Sequence, residues 1–260
     1  MATIALLGTG LLGAGMVENL LAKKQTVRVW NRTRDKLAPL VDDGAVAAKD
    51  PADCVRGADR VHLVLSEDAA VDAVVDALRP GLGDGVPVVD HTTNLPAKVR
   101  ARFERLRAAG VRYVPAPVFM APQNAREASG LMLLAGPKAD HDALREGLEA
   151  MTGKLWHVGE RADLAAVYKL AGNSLYFALT GAMADVLAMG RGNDVDAETM
   201  LKRFEVFKPG GALPFIGQRV LSAGRDAASF ELTMARKDAR LMHETASGAP
   251  LFVLPAIAAA

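Results

Sequence analysis

A glycine-rich turn near the start of the chain decides the fold, and it reads Gly8-Thr9-Gly10-Leu11-Leu12-Gly13. The apolar residues 2–7 precede it with the length of a buried strand, and residues 11–24 follow it with the pattern of a helix. Glycines at this spacing allow a tight turn, a close approach of the backbone to a pyrophosphate, and close packing of helix on strand. The free N–H groups of the helix N-terminus then face the phosphates. The turn therefore predicts a dinucleotide-binding site.

Apolar segments of strand length alternate with amphipathic segments up to about residue 160. This alternation is typical of βαβ units around a mostly parallel sheet. The predicted strands are residues 2–7, 26–30, 60–65, 86–89, 112–114, 131–135 and 155–158. The predicted helices between them are residues 11–24, 33–42, 68–78 and 96–109.

After residue 158 the sequence contains no further β-branched segment, and the pattern becomes helical. One helix that begins near residues 159–163 is predicted to continue to Arg191, which at about 1.5 Å per residue makes it roughly 40 Å long. We therefore predict an α/β Rossmann-like N-terminal domain, residues 1–161, and an all-α C-terminal domain, residues 162–260, joined by a long helix.

The composition is that of an ordinary globular enzyme, with 50% apolar residues, 23% charged residues and a formal net charge of +1. This balance does not favour a nucleic-acid partner or a disordered chain. The single cysteine, Cys54, excludes an internal disulfide framework and fits a reducing compartment. The N-terminal segment lacks a basic region and no apolar segment is long enough to span a membrane, so we expect a cytoplasmic protein without a membrane partner.

The end of the second predicted strand indicates which dinucleotide binds. A site that prefers NAD places an acidic residue about 20 residues after the glycine turn, where it binds the ribose 2′-hydroxyl. Here the chain reads Asn31-Arg32-Thr33-Arg34, and no carboxylate precedes Asp35. Arg32 can pair with a 2′-phosphate, while Asn31 and Thr33 can add hydrogen bonds. NADP is favoured over NAD, and a solvated basic helix start is the alternative.

Lys169 and Asn173 are four residues apart, so they share one face of the long predicted helix. Their neighbours are small or apolar, and partial burial lowers the pKa of a lysine towards the working pH. Such an ammonium can protonate the alkoxide that forms when a hydride reaches a carbonyl, and the amine can remove that proton in reverse. A partly exposed helix rim is the alternative interpretation.

The segment Asp90-His91-Thr92-Thr93-Asn94 follows a buried strand and precedes the helix that starts at Pro96. This position is the carboxyl edge of the sheet, where ligands of open α/β folds bind. The two threonine hydroxyls can hold a carboxylate or an amide, or they can form an N-cap cluster. His91 can titrate near neutrality, although a lone histidine at a strand end is more often structural.

The prolines at 115, 117 and 122 indicate a long loop between two strands. This loop is a candidate substrate wall or a proline-stiffened connection. The sequence has no GxSxG, HExxH or P-loop lysine motif and no paired Cys/His spacing, so a hydrolase or a metalloenzyme is not expected.

Taken together and in this order, these segments resemble the β-hydroxyacid dehydrogenase family, which includes 3-hydroxyisobutyrate dehydrogenases and tartronate, glyoxylate and succinic semialdehyde reductases. The resemblance covers nearly the whole chain. It adds the loop Ala116-Pro117-Val118 and a late Lys237-Asp238 to the glycine turn, the Asp90 segment and the lysine helix.

The resemblance implies a role for each matching residue. Lys169 is implied as the general acid and base, Asn173 and Thr92 as substrate contacts, and Thr93 as a neighbour of the nicotinamide. Lys237 is implied to reach the bound cofactor from the helical domain. The segment Leu65-Ser66-Glu67 matches the family's loop on the adenosine side. A dimer is the family's expected assembly, and we predict that this chain forms a homodimer or homotetramer.

Two departures from the family pattern stand out. Where the family usually has Ser-Gly-Gly, this chain has Phe119-Met120-Ala121, which makes the substrate wall bulkier and more apolar. Relatives usually continue for one or two helices beyond the position of Ala260, so the resemblance implies a truncated, disordered or shorter C-terminal end.

The sequence thus predicts an enzyme that transfers a hydride between NADP(H) and a small carbonyl compound or hydroxy acid. Two alternatives stay open. The first is an imine reductase acting on a bulkier neutral substrate, and the second is a regulator that binds NADP without turnover.

Overall fold

A computed structural model of the protein describes residues 2–222 and 231–259. It divides into two compact units, Met1–Gly172 and Asn173–Ala260. No helix among the described residues is long and apolar enough to cross a membrane.

The first unit is built on a six-stranded sheet with strand order β3-β2-β1-β4-β5-β6, and every pair in it is parallel. Its strands are β1 (Thr3–Leu7), β2 (Thr26–Trp30), β3 (Val46–Ala47), β4 (Arg60–Leu63), β5 (Pro87–Asp90) and β6 (Arg112–Pro115). The helices that connect them are α1 (Leu11–Ala22), α2 (Ala38–Asp42), α3 (Pro51–Val55), α4 (Asp68–Leu78) and α5 (Pro96–Ala108). This is the strand order of a Rossmann-like domain, and it confirms the predicted fold class.

Alternating residues of the central strand belong to the two sides of the sheet. Ile4 and Leu6 lie in one buried apolar cluster, and Ala5 and Leu7 lie in the other. Because successive side chains of a strand point to opposite faces, a strand covered on both faces is apolar throughout. The apolar stretch Ile4–Leu7 of β1 therefore has its physical cause in the two helical layers that cover the sheet.

A smaller sheet of three strands completes the first unit. It contains β7 (Val118–Phe119), β8 (Leu131–Ala135) and β9 (Lys154–Gly159). β7 pairs with β8 in antiparallel fashion, and β8 pairs with β9 in parallel. α6 (Pro122–Arg126) and α7 (Lys138–Glu149) lie in the connections.

The elements described after β9 are helical. They are α8 (Leu164–Arg191), α9 (Ala197–Val206), α10 (Leu213–Ser222), α11 (Leu232–Thr245) and α12 (Leu254–Ala259). α8 has 28 residues, which at 1.5 Å per residue is about 42 Å. The predicted domain boundary after residue 161 precedes α8, whereas the compact units divide inside this helix, after Gly172.

Several sequence predictions were wrong in detail. Residues 33–42 do not form one helix, because a 3₁₀ turn over Arg34–Leu37 precedes α2 and Pro39, at the start of α2, has no N–H for an upstream carbonyl. The segment predicted as a long loop between β6 and β8 contains β7 and α6, which are too short to show a periodicity. The strand predicted over residues 60–65 ends at Leu63, because the N–H of Leu65 donates to a side chain, the Thr92 hydroxyl.

Candidate active site

The three glycines of the turn after β1 differ in the space that a side chain would have. Gly8 has φ +103°, and a Cβ on it would lie 2.2 Å from the carbonyl oxygen of Val64. A Cβ on Gly13 would lie 2.0 Å from the carbonyl oxygen of Gly8, where α1 meets the turn. A Cβ on Gly10 would meet no protein atom within 4 Å. Gly8 and Gly13 are thus required by the fold, whereas the space beside Gly10 is open to a ligand.

A cavity of about 490 Å³ opens at the carboxyl ends of β1, β2 and β4. The strand order reverses between β1 and β4, and ligands of open parallel sheets bind at such a switch point. The cavity is lined by Gly8, Gly10, Trp30, Asn31, Arg32, Thr33, Lys36, Pro51, Val64, Leu65, Ser66, Ala70, Ala73, Val74 and Ala77.

The basic side of this cavity fits a phosphate. Arg32 and Lys36 both line it, and none of its described lining residues is acidic. Asn31 holds the rim, because its Oδ1 accepts from the N–H of Thr9 at 3.2 Å and its Nδ2 donates to the carbonyl of Thr33 at 2.9 Å. Lys36 was not predicted as a site residue, since only the 3₁₀ turn after β2 returns this lysine to the cavity.

The opposite wall is apolar and smooth. Ala70, Ala73, Val74 and Ala77 recur at helical spacing along α4, which indicates one face of that helix. Small side chains of this kind leave room for a flat ring. The spacing is visible in the sequence, but only the fold shows that this face of α4 lines a cavity.

The other residues of the first unit that were predicted to bind the cofactor near the glycine turn differ in whether they line the cavity. Leu11 begins α1 and is 79% exposed, whereas Leu12 packs against the apolar core. Leu65 and Ser66 line the cavity, but Glu67, the N-terminal flanking residue of α4, does not. The Thr9 hydroxyl is buried and has no hydrogen-bond partner among the residues described. An unpartnered polar atom in the glycine turn and the open space at Gly10 both fit a bound dinucleotide.

Asp90 organises the polar loop that follows β5. Its carboxylate accepts hydrogen bonds from the Thr92 N–H at 2.9 Å, Asn94 Nδ2 at 2.8 Å and the Tyr113 hydroxyl at 2.6 Å. Burial raises the pKa of Asp90, and the hydrogen bonds from Tyr113 and Thr92 oppose that shift. The loop is therefore held from inside the fold.

The two threonines of this loop differ in what they touch. The Thr92 hydroxyl is buried and accepts from the Leu65 N–H at 3.1 Å, so it ties the loop after β5 to the loop after β4. Thr93 is exposed. Thr92 thus connects the cofactor cavity to the edge of β5, while Thr93 is the one that faces outwards.

His91 lies in a buried chain of hydrogen bonds. Arg60 Nε donates to His62 Nε2 at 2.7 Å, so His62 Nδ1 carries the proton shared with His91 Nε2 at 2.8 Å. His91 Nδ1 then donates to the carbonyl of Ala116 at 2.7 Å. Burial lowers the pKa of His91 to about 4. His91 is accordingly a neutral structural group.

Lys169 lies in the second turn of α8 and is half-buried. Its Nζ is 4.1 Å from the centroid of the Phe119 ring, the first residue of the departure from the family loop. Burial lowers the pKa of Lys169 below its ordinary value of 10.5. The other two residues of that loop are a partly buried Met120, which packs on the core, and an exposed Ala121, whose N–H is bound by Asn124 Oδ1 at 2.8 Å.

The remaining predicted site residues belong to the second unit. Asn173 is its first residue, four positions after Lys169 on α8. Lys237 lies on α11, where its ammonium pairs with Asp238 at 2.9 Å. Among the residues described, no cluster of His, Cys, Asp and Glu side chains could hold a metal ion.

A nicotinamide dinucleotide is the kind of ligand that a parallel sheet of this topology holds at its switch point, so the fold and the cavity define a dinucleotide-binding protein. Residues 3–159 match the family model described as the NAD binding domain of 6-phosphogluconate dehydrogenase. The chain belongs to this 6-phosphogluconate dehydrogenase-like family, within the β-hydroxyacid dehydrogenases, and is an NAD(P)-binding oxidoreductase.

Three curated relatives illustrate the range of the family. The uncharacterized oxidoreductase YfjR of Bacillus subtilis is 26% identical over 246 residues, which cover 92% of this chain and 84% of that protein. The NAD-dependent L-serine dehydrogenase of Pseudomonas aeruginosa is 28% identical over 203 residues, covering 77% of this chain and 68% of that protein. The cytokine-like nuclear factor N-PAC of Homo sapiens is 28% identical over 244 residues. The match covers 92% of this chain but only 43% of N-PAC.

The fold also recurs among solved structures. An imine reductase of Streptomyces aurantiacus superposes with a TM-score of 0.88 at 21% identity, covering 99% of this chain and 92% of that one. At this identity the likeness establishes the fold alone.

Proposed function

We propose that the protein transfers a hydride reversibly between NADP(H) and a small aldehyde, keto acid or hydroxy acid, with Lys169 as general acid and base. The observation that carries the proposal is the state of the Lys169 ammonium. It is half-buried, and among residues 2–222 and 231–259 it makes no hydrogen bond or ion pair. Its protons are therefore available to a substrate oxygen.

The bound nicotinamide supplies the hydride in reduction and accepts it in oxidation. In reduction, Lys169 Nζ donates a proton to the oxygen that becomes the hydroxyl of the product. In oxidation, the neutral amine takes that proton back. Partial burial favours the neutral amine and so lowers the pKa of Lys169, which brings both protonation states closer to the working pH.

The choice of NADP rests on the charges that line the cavity. Arg32 and Lys36 supply two cations and no carboxylate is present among the described lining residues, so the site suits a 2′-phosphate. Thr93, Asn173 and Lys237 keep the roles that the family resemblance implies. For Thr92, the bond from the Leu65 N–H adds a positioning role to the implied substrate contact.

The test is a panel of carbonyl compounds followed by the oxidation of NADPH and, separately, NADH. The panel contains glyoxylate, succinic semialdehyde and a cyclic imine, and L-serine is assayed in the reverse direction with NADP⁺. We expect turnover of one carbonyl acid or aldehyde. Replacing Lys169 by Ala should lower its kcat by at least about a hundredfold, the lower range for a general acid. A decrease in kcat of only a few-fold, with NADPH binding intact, would show that Lys169 is not the general acid.

One observation favours an imine reductase as the second candidate. The Phe119 ring gives the region around Lys169 an apolar flank, which suits a neutral cyclic substrate better than a carboxylate. Turnover of the cyclic imine alone would establish this alternative. Binding of NADPH without turnover of any compound would instead support a regulator.

We further propose that two or four copies of the chain associate. Within α10, four large apolar side chains are at least 48% exposed, namely Phe215, Ile216, Val220 and Leu221. Four such side chains on one helix of ten residues are more than scattered single surface residues account for. Light scattering should give a mass of two or four chains, and a monomer at micromolar concentration would refute the assembly.

A further inference from the structure

We propose that Phe119 is a positioning residue that holds the ammonium of Lys169 in place. We propose also that Gly172, which has no side chain, leaves the space on α8 that the Phe119 ring occupies. The catalytic role of Lys169 is part of the proposed function, and the inference rests on it to that extent. The position of the Lys169 ammonium against the Phe119 ring does not depend on that role.

The first support is the distance between the ammonium and the ring. Lys169 Nζ lies 4.1 Å from the Phe119 centroid, inside the range of about 6 Å over which a cation is attracted to an aromatic face. Since the ammonium has no hydrogen bond or ion pair within the described parts of the chain, this ring is its electrostatic partner there. The contact limits the directions in which a flexible four-carbon side chain can point.

The second support is Gly172, one helical turn after Lys169 on α8. A Cβ at this position would lie 2.3 Å from Cζ and 2.7 Å from Cε1 of Phe119. Contacts this short do not occur, so any larger residue at 172 displaces the ring. A glycine inside a helix costs roughly 0.5–1 kcal/mol relative to alanine, and here the missing side chain makes room for the ring.

The third support is the anchoring of Phe119 itself. Its backbone belongs to β7 and is paired with Leu131 of β8, so the ring does not depend on a mobile loop. Phe119 also packs against a buried apolar cluster of Leu133, Ala135 and Ala165, which joins β8 to the first turn of α8. The small sheet and α8 thus fix the ring from two sides.

A ring that only fills space and a ring that holds the ammonium predict different behaviour of Lys169. Leucine at 119 keeps an apolar neighbour, which disfavours the charged form, but it loses the electron-rich face that favours this form. If the ring holds the ammonium, Phe119→Leu must lower the pKa of Lys169. If the ring only fills space, the pKa of Lys169 stays where it is.

The experiment is an NMR titration of the lysine side-chain carbons in protein labelled with carbon-13 lysine, without substrate. The resonance of Lys169 is identified by its absence in Lys169→Arg. We expect Phe119→Leu to raise the acid dissociation constant of Lys169 by about two- to fivefold, the size of an ordinary cation–π contact. Phe119→Tyr, which keeps an aromatic face, should titrate close to the original protein.

Two further variants control for indirect effects. Phe103→Leu removes another ring of the same unit that has a cation over it, Arg107 at 4.9 Å, and should leave Lys169 unchanged. Gly172→Ala should shift Lys169 in the same direction as Phe119→Leu, and it should add nothing in the Phe119→Leu background. An unchanged titration in Phe119→Leu would overturn the inference, whether or not the enzyme reduces any carbonyl.

Discussion

His62 Nδ1 and His91 Nε2 are 2.8 Å apart in the interior of the first unit, and their ring planes differ by 10° with centroids 5.1 Å apart, so the rings meet edge to edge. Both histidines are buried, on the neighbouring strand β4 and just after β5. The bond from Arg60 and the bond to the Ala116 carbonyl fix both tautomers. The arrangement requires both imidazoles to be neutral, because a proton on either one would remove an acceptor from the chain.

This pair predicts a loss of stability in mild acid. Burial lowers the pKa of His91 from 6.5 to about 4 and holds the pKa of His62 well below 6.5. Between these values the unfolded chain binds protons that the folded chain does not, so the free energy of unfolding falls as the pH falls from 6.5 towards 4. His91 alone accounts for about 3 kcal/mol across this window.

Urea unfolding at about pH 7.5 and about pH 5 measures this slope. In a double variant, His62→Leu with His91→Leu, both titrating groups are gone and the slope should flatten, even though the variant is less stable at every pH. His141→Gln changes a histidine outside the pair and serves as the control. An equal slope in the double variant would assign the acid sensitivity to other groups.

The long periodic elements of the fold were predictable from the sequence, and the pairs of distant residues were not. β2 and α4 have the predicted bounds, because strand alternation and helical spacing are local patterns. His62 was visible as a polar residue in an apolar strand, but nothing local pairs it with a residue 29 positions away. The contact between Phe119 and Gly172 could not be predicted for the same reason, since the two residues are far apart in the sequence and meet only in the folded chain.

The glycine turn gives a second prediction, in which one change affects binding and another affects folding. Gly10 has an ordinary φ of −68° and open space around its Cβ position. Gly10→Ala should therefore cost less than about 1 kcal/mol of stability and weaken NADPH binding by at least about tenfold, because the methyl group occupies the pyrophosphate approach.

Gly13→Ala is the matched variant. Its Cβ would lie 2.0 Å from the Gly8 carbonyl oxygen, so the helix and the turn must separate, and a stability loss of several kcal/mol is expected, on the order of the larger overpacking costs. Thermal melting and NADPH titration of both variants separate the two effects. Unaltered NADPH affinity in Gly10→Ala would show that the pyrophosphate does not bind at this turn.

Arg32 carries the third prediction, which concerns the cofactor. Removing its guanidinium takes away a charge-assisted contact with a 2′-phosphate, and such contacts contribute about 1.5–3 kcal/mol. Arg32→Ala should thus raise the KM for NADPH by about tenfold to a hundredfold while changing the KM for NADH little. Lys36→Ala should act in the same direction.

Arg34 provides the control for Arg32, because it lies two residues further on in the 3₁₀ turn and does not line the cavity. Arg34→Ala should leave both KM values close to the original ones. Equal losses for NADPH and NADH in Arg32→Ala would mean that Arg32 does not read the 2′-phosphate.

The last prediction concerns the direction of proton transfer at Lys169. Reduction needs the ammonium and oxidation needs the amine, so the rate of reduction should fall and that of oxidation should rise as the pH passes through the pKa of Lys169. Because burial lowers this pKa, both midpoints should lie below 10.5. Measuring kcat/KM in both directions with the best substrate of the panel gives the two curves. Lys169→Arg, which stays protonated throughout this range, should lose the rising limb of oxidation, and an oxidation profile that kept this limb would place the base elsewhere.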